Sequence, residues 1–148
     1  MKHPGTLIHY GSKKFSELRF NTPQNAGGNK PTGGFWTSPE GSEYGWKNWC
    51  AQNDFRECEP EWSIRLDWKT GYRLLVIDSR RDLMACQFYR PLHCKVPVLD
   101  FEWAARNYDA IWLTSDGEHA TRHTLRENLY GWACETVLIL NPGCIVQL

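Results

Sequence analysis

Residues 33–39 read GGFWTSP, and this stretch decides how the middle of the chain folds. Two glycines lead directly into the bulky pair Phe35 and Trp36, and the run predicts a short strand over Phe35–Thr37. Successive side chains of a strand point to opposite faces of a sheet, so the two aromatic rings can occupy different environments. Because the glycines carry no side chains, we expect a ligand to approach the backbone closely at this edge.

The residues that follow predict a helix. Ser38, Pro39 and Glu40 have the pattern of a helix start, because a side-chain oxygen caps free amides, proline suits the first turn and an acid favours the helix dipole. The predicted helix runs to about Cys50. Three residues give it an aromatic side: Tyr44, Trp46 and Trp49.

The rest of the chain mixes strands and helices without a regular β-α-β alternation. Five β-rich runs are predicted as strands: Thr6–Tyr10, Trp62–Trp68, Tyr72–Ile77, Asp109–Leu113 and Thr136–Leu140. Asp100 is the predicted N-cap of a helix over Phe101–Asn107, Thr121–Asn128 has helical character, and residues 21–34 predict a loop. We therefore expect a single domain over residues 1–148 with an α+β fold, a mostly antiparallel sheet and short flanking helices.

Composition and charge are those of an ordinary globular domain. Seventeen basic residues balance seventeen acidic ones, so no overall field attracts nucleic acid or an anionic membrane. No apolar run reaches the ~20 residues that cross a bilayer, and the N-terminus lacks the apolar core of a signal peptide. We expect a cytoplasmic protein with no membrane partner. Its six cysteines are then predicted to be reduced thiols, and their spacing does not predict a metal site.

Three residues suited to chemistry stand on predicted strands that are far apart in the sequence. His9 lies near the end of the first strand, Trp36 lies in the strand of the opening stretch, and Glu135 immediately precedes the last strand. Their placement suggests a cleft where these strands meet. The same residues can also be a core histidine, a packed tryptophan and a solvated strand end.

Four stretches of the chain together resemble the ADP-ribosyltransferases of the diphtheria-toxin and poly(ADP-ribose) polymerase type. LIHYGS (7–12) is similar to their histidine strand, and GGFWTSPEGSEYGWKNWC (33–50) to their aromatic stretch and the helix after it. YDAIWLT (108–114) and ETVLILNPGCI (135–145) resemble their Tyr-Asp-Gly-Ile strand and their terminal strand, which begins with the glutamate. The resemblance implies split, mostly antiparallel sheets. It also implies a small free-standing member, of a kind often found among toxins and effectors of microbes and their viruses.

The resemblance implies a mono-ADP-ribosyltransferase that cleaves NAD at the nicotinamide–ribose bond. ADP-ribose would pass to a macromolecule, either protein or nucleic acid, with Glu135 as the catalytic acid. Nine residues are implied to bind NAD: His9, Tyr10, Gly11, Ser12, Gly34, Phe35, Trp36, Thr37 and Ser38. Family members that modify arginine carry Glu or Gln two positions before the catalytic glutamate. Ala133 stands there in this chain, which implies an acceptor other than arginine.

The chemistry of NAD accounts for these residue types. Nicotinamide in NAD is a flat cationic ring, so an aromatic face such as that of Trp36 attracts it by ~0.5–2 kcal/mol. Cleavage of the nicotinamide bond builds positive charge on the ribose. A carboxylate that holds the ribose 2′-hydroxyl, the role implied for Glu135, binds more strongly as that charge develops.

The sequence departs from the family pattern at two points. Tyr10 separates His9 from Gly11, where the family has glycine directly after histidine. Trp36 stands where the family has tyrosine, and a slip of one residue would make Phe35, rather than Trp36, the ring that stacks on nicotinamide.

Other functions remain open from the sequence alone. Water in place of a macromolecular acceptor would make the protein a simple NAD hydrolase. A non-catalytic module could bind a nucleotide, a glycan or a protein through exposed tryptophans. A cysteine hydrolase would use Cys50 or Cys134 with a histidine, although neither cysteine lies in a nucleophile motif.

Overall fold

The computed structural model describes residues 2–148. Nine strands are formed in this part of the chain: β1 Leu7–Tyr10, β2 Phe35–Pro39, β3 Ser63–Trp68, β4 Leu74–Ile77, β5 Phe88–Tyr89, β6 Val98–Leu99, β7 Ala110–Leu113, β8 Thr136–Ile139 and β9 Ile145–Gln147. Four α-helices accompany them: α1 Trp46–Gln52, α2 Arg80–Met84, α3 Phe101–Asn107 and α4 Ser115–Thr121. None of the helices described is long and apolar enough to span a bilayer.

Seven of the strands form one sheet in the order β4-β7-β8-β2-β1-β3-β9, and β5 pairs with β6 separately. All neighbours in the large sheet are antiparallel except β4 and β7. The parallel pair is joined by a crossover that contains α2, β5, β6 and α3. The predicted α+β class with a mostly antiparallel sheet is confirmed.

Two hydrophobic clusters pack against the sheet, and alternation along β2 and β8 assigns residues to each. Phe35 belongs to one cluster with Val137 and Ile139, whereas Trp36 packs against the other with Leu138. All four residues of β8 are buried. A strand covered on both sides reads as a continuous apolar run, which explains why the sequence predicted this strand well.

The helix predicted after Asp100 is confirmed. The carboxylate of Asp100 accepts a hydrogen bond from the backbone N–H of Trp103 over 3.0 Å, and α3 spans the predicted residues Phe101–Asn107. An acceptor at the N-cap satisfies a backbone amide that has no partner inside the helix.

The helix start predicted at Ser38 is wrong. The strand β2 continues through Pro39, because Ser38 pairs with Ile8 of the neighbouring strand, and α1 begins only at Trp46. The hydroxyl of Ser38 accepts the backbone N–H of Trp46 over 3.0 Å and donates to the carbonyl of Glu135 over 3.2 Å. The Ser38 hydroxyl therefore joins β2 to the start of α1 and to Glu135, and it does not cap a helix over the residues that directly follow it.

The helix predicted over Thr121–Asn128 is also wrong, because α4 ends at Thr121 and turns follow it. Thr114 caps this helix by accepting the backbone N–H of Gly117 over 3.0 Å. Gly117 lies against β4, where an added Cβ would collide with the carbonyl of Ile77. A glycine inside a helix weakens its sequence pattern, and here it is needed for close packing.

Candidate functional site

The strands that contain His9 and Trp36 are neighbours in the sheet, and the second of them also pairs with β8, which begins directly after Glu135. β1 pairs with β2 through Ile8 and Ser38, and β2 pairs with β8 through Trp36 and Leu138. Residues more than a hundred positions apart in the sequence are thereby brought to one region of the fold. The predicted meeting of these three strands is present.

A cleft of about 250 Å³ opens where these strands meet. Five of the sequence-predicted binding residues line it: His9, Tyr10, Trp36, Thr37 and Ser38. Further lining comes from residues that the sequence did not single out as ligand-binding, among them Lys30, Trp46, Arg56, Trp132 and Thr136.

Trp36 forms an aromatic wall of the cleft. The ring of Trp132 meets it edge-on, with 5.0 Å between centroids and 74° between planes. Trp132 itself is buried and donates its indole N–H to the carbonyl of Asn29. Edge-to-face contact of this kind holds the Trp36 ring in place without covering both of its faces.

A second aromatic wall comes from α1. Trp46 lines the cleft and stacks on Trp49 at 5.2 Å between centroids. The guanidinium carbon of Arg56 lies 5.5 Å from the centroid of the Trp46 ring, and the ammonium of Lys30 lies 5.8 Å from the centroid of Trp36. The cleft therefore combines two indole walls with two cations.

His9 joins the first two strands. Its Nδ1 lies 2.8 Å from the carbonyl oxygen of Trp36, and because a carbonyl only accepts, Nδ1 carries the proton. Burial lowers the pKa of His9, the bond to Trp36 opposes that shift, and the charge of Arg56 adds to it. We expect a neutral imidazole that fixes the backbone beside the cleft.

Phe35 lies behind His9 and not in the cleft. The two rings are stacked with centroids 4.3 Å apart, and Phe35 is buried in the core. The sequence allowed either Phe35 or Trp36 to be the stacking ring, and Trp36 is the one that lines the cleft.

The glycines of the predicted site allow close strand pairing and an unusual backbone conformation. An added Cβ at Gly34 would lie 2.9 Å from the side chain of Leu138 and 3.3 Å from the carbonyl of Ile139, so glycine permits close pairing of β2 with β8. Gly11 has φ +119° and donates its backbone N–H to the carbonyl of Trp62 over 2.7 Å. Gly11, Ser12 and Gly34 do not line the cleft.

The carboxylate of Glu135 points away from the cleft. The residue is 9% exposed, and its Oε2 accepts the indole N–H of Trp112 over 2.9 Å. Its Oε1 accepts from the hydroxyls of Ser42 and Ser115, the latter over 3.4 Å. Thr136, the next residue, lines the cleft, as expected for side chains that alternate across a strand.

One cysteine lines the cleft, but it is a poor nucleophile. Cys134 is buried, and burial raises its pKa to about 11, which keeps the thiol protonated near neutral pH. No histidine is among its hydrogen-bond partners in residues 2–148. The arrangement gives no support to a cysteine hydrolase. All six cysteines of the chain are free.

No protein-family model, curated protein or solved structure matches the chain.

Proposed function

We propose that the protein is a mono-ADP-ribosyltransferase of the cytoplasm that uses NAD. The observation that carries this proposal is the meeting of β1, β2 and β8 at one indole-lined cleft, with His9 and Trp36 in its lining. This is the combination that the resemblance of the sequence implies. The free thiols are compatible with the reducing cytoplasm.

In the proposed complex the nicotinamide ring stacks on Trp36. The half-buried ring lines the cleft and makes an edge-to-face contact with Trp132. The ammonium of Lys30, 5.8 Å from the ring centroid, would move aside when nicotinamide stacks there. Trp46 lies on another wall of the same cleft and offers a second aromatic surface. Aromatic stacking contributes ~1–3 kcal/mol for each base in proteins that bind single-stranded nucleic acids.

The proposed reaction breaks the bond between the nicotinamide nitrogen and the ribose. The electron pair leaves with nicotinamide, and a nucleophile of the acceptor forms the new bond to the same ribose carbon and gives up its proton to solvent. Glu135 would hold the ribose 2′-hydroxyl as charge develops. Catalysis by this residue requires the bend before β8 to rearrange, so that the carboxylate leaves Trp112 and enters the cleft.

The present position of Glu135 favours a second function. Its carboxylate is held by Trp112, Ser42 and Ser115, and these bonds fix the start of β8. A protein that binds a nucleotide without cleaving it needs no catalytic carboxylate in its cleft. The second candidate is therefore a nucleotide-binding module that has no transferase activity.

The two functions are separated by incubation of the protein with NAD labelled on its adenylate half, followed by a cell lysate. Glu135→Gln is the matched variant, because it keeps the shape of the side chain. Transfer of label by the wild type alone supports the transferase, and release of nicotinamide without transfer identifies an NAD hydrolase. Binding of NAD without consumption by either protein leaves the binding module. An absence of NAD binding contradicts the transferase, and an absence of both NAD and ADP binding contradicts both candidates.

A further inference from the structure

We infer that Lys30 and Arg56 form a phosphate-binding pair in the cleft, so that its ligand contains a nucleoside diphosphate. This inference rests on the proposed nucleotide binding and adds the groups that recognise the phosphates. Both side chains line the cleft. They come from different loops, one between β1 and β2 and the other between α1 and β3.

The charge of the cleft points to an anion. The chain as a whole has a net charge of zero, yet Lys30 and Arg56 are the only Lys, Arg, Asp or Glu residues that line the cleft within residues 2–148. Phosphate oxygens accept charge-assisted hydrogen bonds from both side chains, and arginine can bind them with two parallel N–H groups.

Neither cation forms an ion pair with a carboxylate among the residues that the structure describes. Each lies over an indole ring instead, Lys30 at 5.8 Å from the centroid of Trp36 and Arg56 at 5.5 Å from that of Trp46. A cation beside an aromatic wall matches a ligand that joins phosphate to a planar base. A nucleotide has both parts.

The surroundings of Arg56 favour a compact ligand over a nucleic-acid strand. Arg56 also lines a second cavity, together with Lys47 and four carboxylates: Asp54, Glu57, Glu59 and Glu61. These charges repel a phosphate backbone that continues beyond the cleft. A diphosphate that ends within the cleft avoids them.

Calorimetric titration at fixed ionic strength tests the inference with three probes: ADP, adenosine and a short oligothymidylate. The variants are Lys30→Gln and Arg56→Gln, both at exposed positions where loss of the fold is not expected. Lys47→Gln is the control, because Lys47 is exposed and lines the second cavity but not the cleft. We expect each cleft variant to weaken ADP binding roughly tenfold, while adenosine binding changes less than about twofold. The control should bind ADP like the wild type.

Equal ADP affinity in the wild type and both cleft variants would overturn the inference, and so would a wild type that binds no ADP. An oligothymidylate that binds more tightly than ADP would also overturn it, in favour of a strand-binding surface. The NAD assay above reports on the proposed function separately. ADP binding that depends on Lys30 and Arg56 in a protein that does not consume NAD supports the phosphate pair and contradicts only the transferase.

Discussion

Trp112 and Glu135 are joined across the β7–β8 pair, with the indole N–H of the tryptophan 2.9 Å from a carboxylate oxygen of the glutamate. Both residues are buried. The bond satisfies a polar group inside the core and holds the chain at the point where β8 begins. Glu135 therefore has a structural role in this conformation, whatever its role in the proposed reaction.

Glu135→Ala is expected to lower the free energy of unfolding by about 1–3 kcal/mol, because it leaves the buried N–H of Trp112 without an acceptor. Glu135→Gln should stay close to the wild type, since its amide oxygen can accept from Trp112 and the hydroxyls of Ser42 and Ser115 can accept from its NH₂. Denaturant unfolding measures both variants. Glu43→Ala, at an exposed site, is the control. Equal stability of the alanine and glutamine variants would contradict the role of this bond.

Trp36→Ala should raise the dissociation constant for NAD roughly tenfold, because the stacking face is lost. Trp36→Phe and Trp36→Tyr keep an aromatic face and should largely preserve binding. Calorimetry measures the affinities, and Trp62→Ala serves as the control because Trp62 is 50% exposed and does not line the cleft. If the three Trp36 variants behave alike, stacking is not the function of this residue.

The lowered pKa of His9 predicts a dependence of stability on pH. The unfolded chain has a histidine pKa of about 6.5 and therefore binds a proton more readily than the folded protein. The contribution of His9 is present above the unfolded pKa and is lost as the pH falls through about 6.5 toward the folded value. The folded protein should lose stability in this window.

Thermal unfolding at several pH values measures this effect. His9→Asn retains a side-chain N–H for the carbonyl of Trp36 but does not titrate, so its stability should fall less on acidification. His123→Asn, at an exposed position, should follow the wild type. Parallel pH profiles for His9→Asn and the wild type would show that His9 does not carry the dependence.

Gly117→Ala should destabilise the fold by about 1–3 kcal/mol, because the added methyl group collides with the backbone carbonyl of Ile77. Gly41→Ala is the matched control, since an added Cβ there meets nothing within 4 Å. Denaturant midpoints compare the two. A Gly117→Ala variant as stable as Gly41→Ala would show that α4 does not pack against β4 as closely as described.

The sequence predicted the elements whose signals are local. The apolar run at Thr136–Leu140 and the capping aspartate Asp100 determine their own conformation, and the structure forms a strand over Thr136–Ile139 and a helix after Asp100. Ser38 failed as a helix start because its hydroxyl bonds to Trp46 and Glu135, partners that only the folded chain brings near.

The cleft was predictable only in part. Alternation along β2 predicted that Phe35 and Trp36 lie on opposite faces of the sheet. It did not predict which of the two faces is open to a ligand. β8 is buried on both sides, so no change of polarity along it indicates that Thr136 faces the cleft and Glu135 does not. Lys30 and Arg56 lie in loops without any sequence motif, and long-range packing brings the two loops to the same cleft.

The central place of β8 has a consequence for how the protein reaches its native state. This strand comes late in the chain, yet it joins the β4–β7 pair to the four strands on its other side. During synthesis β1 to β7 are made before β8, so the edges of β7 and β2 that face β8 have no partner at first. Until β8 inserts between them, those edges are open to pairing with other chains, which exposes the nascent protein to aggregation.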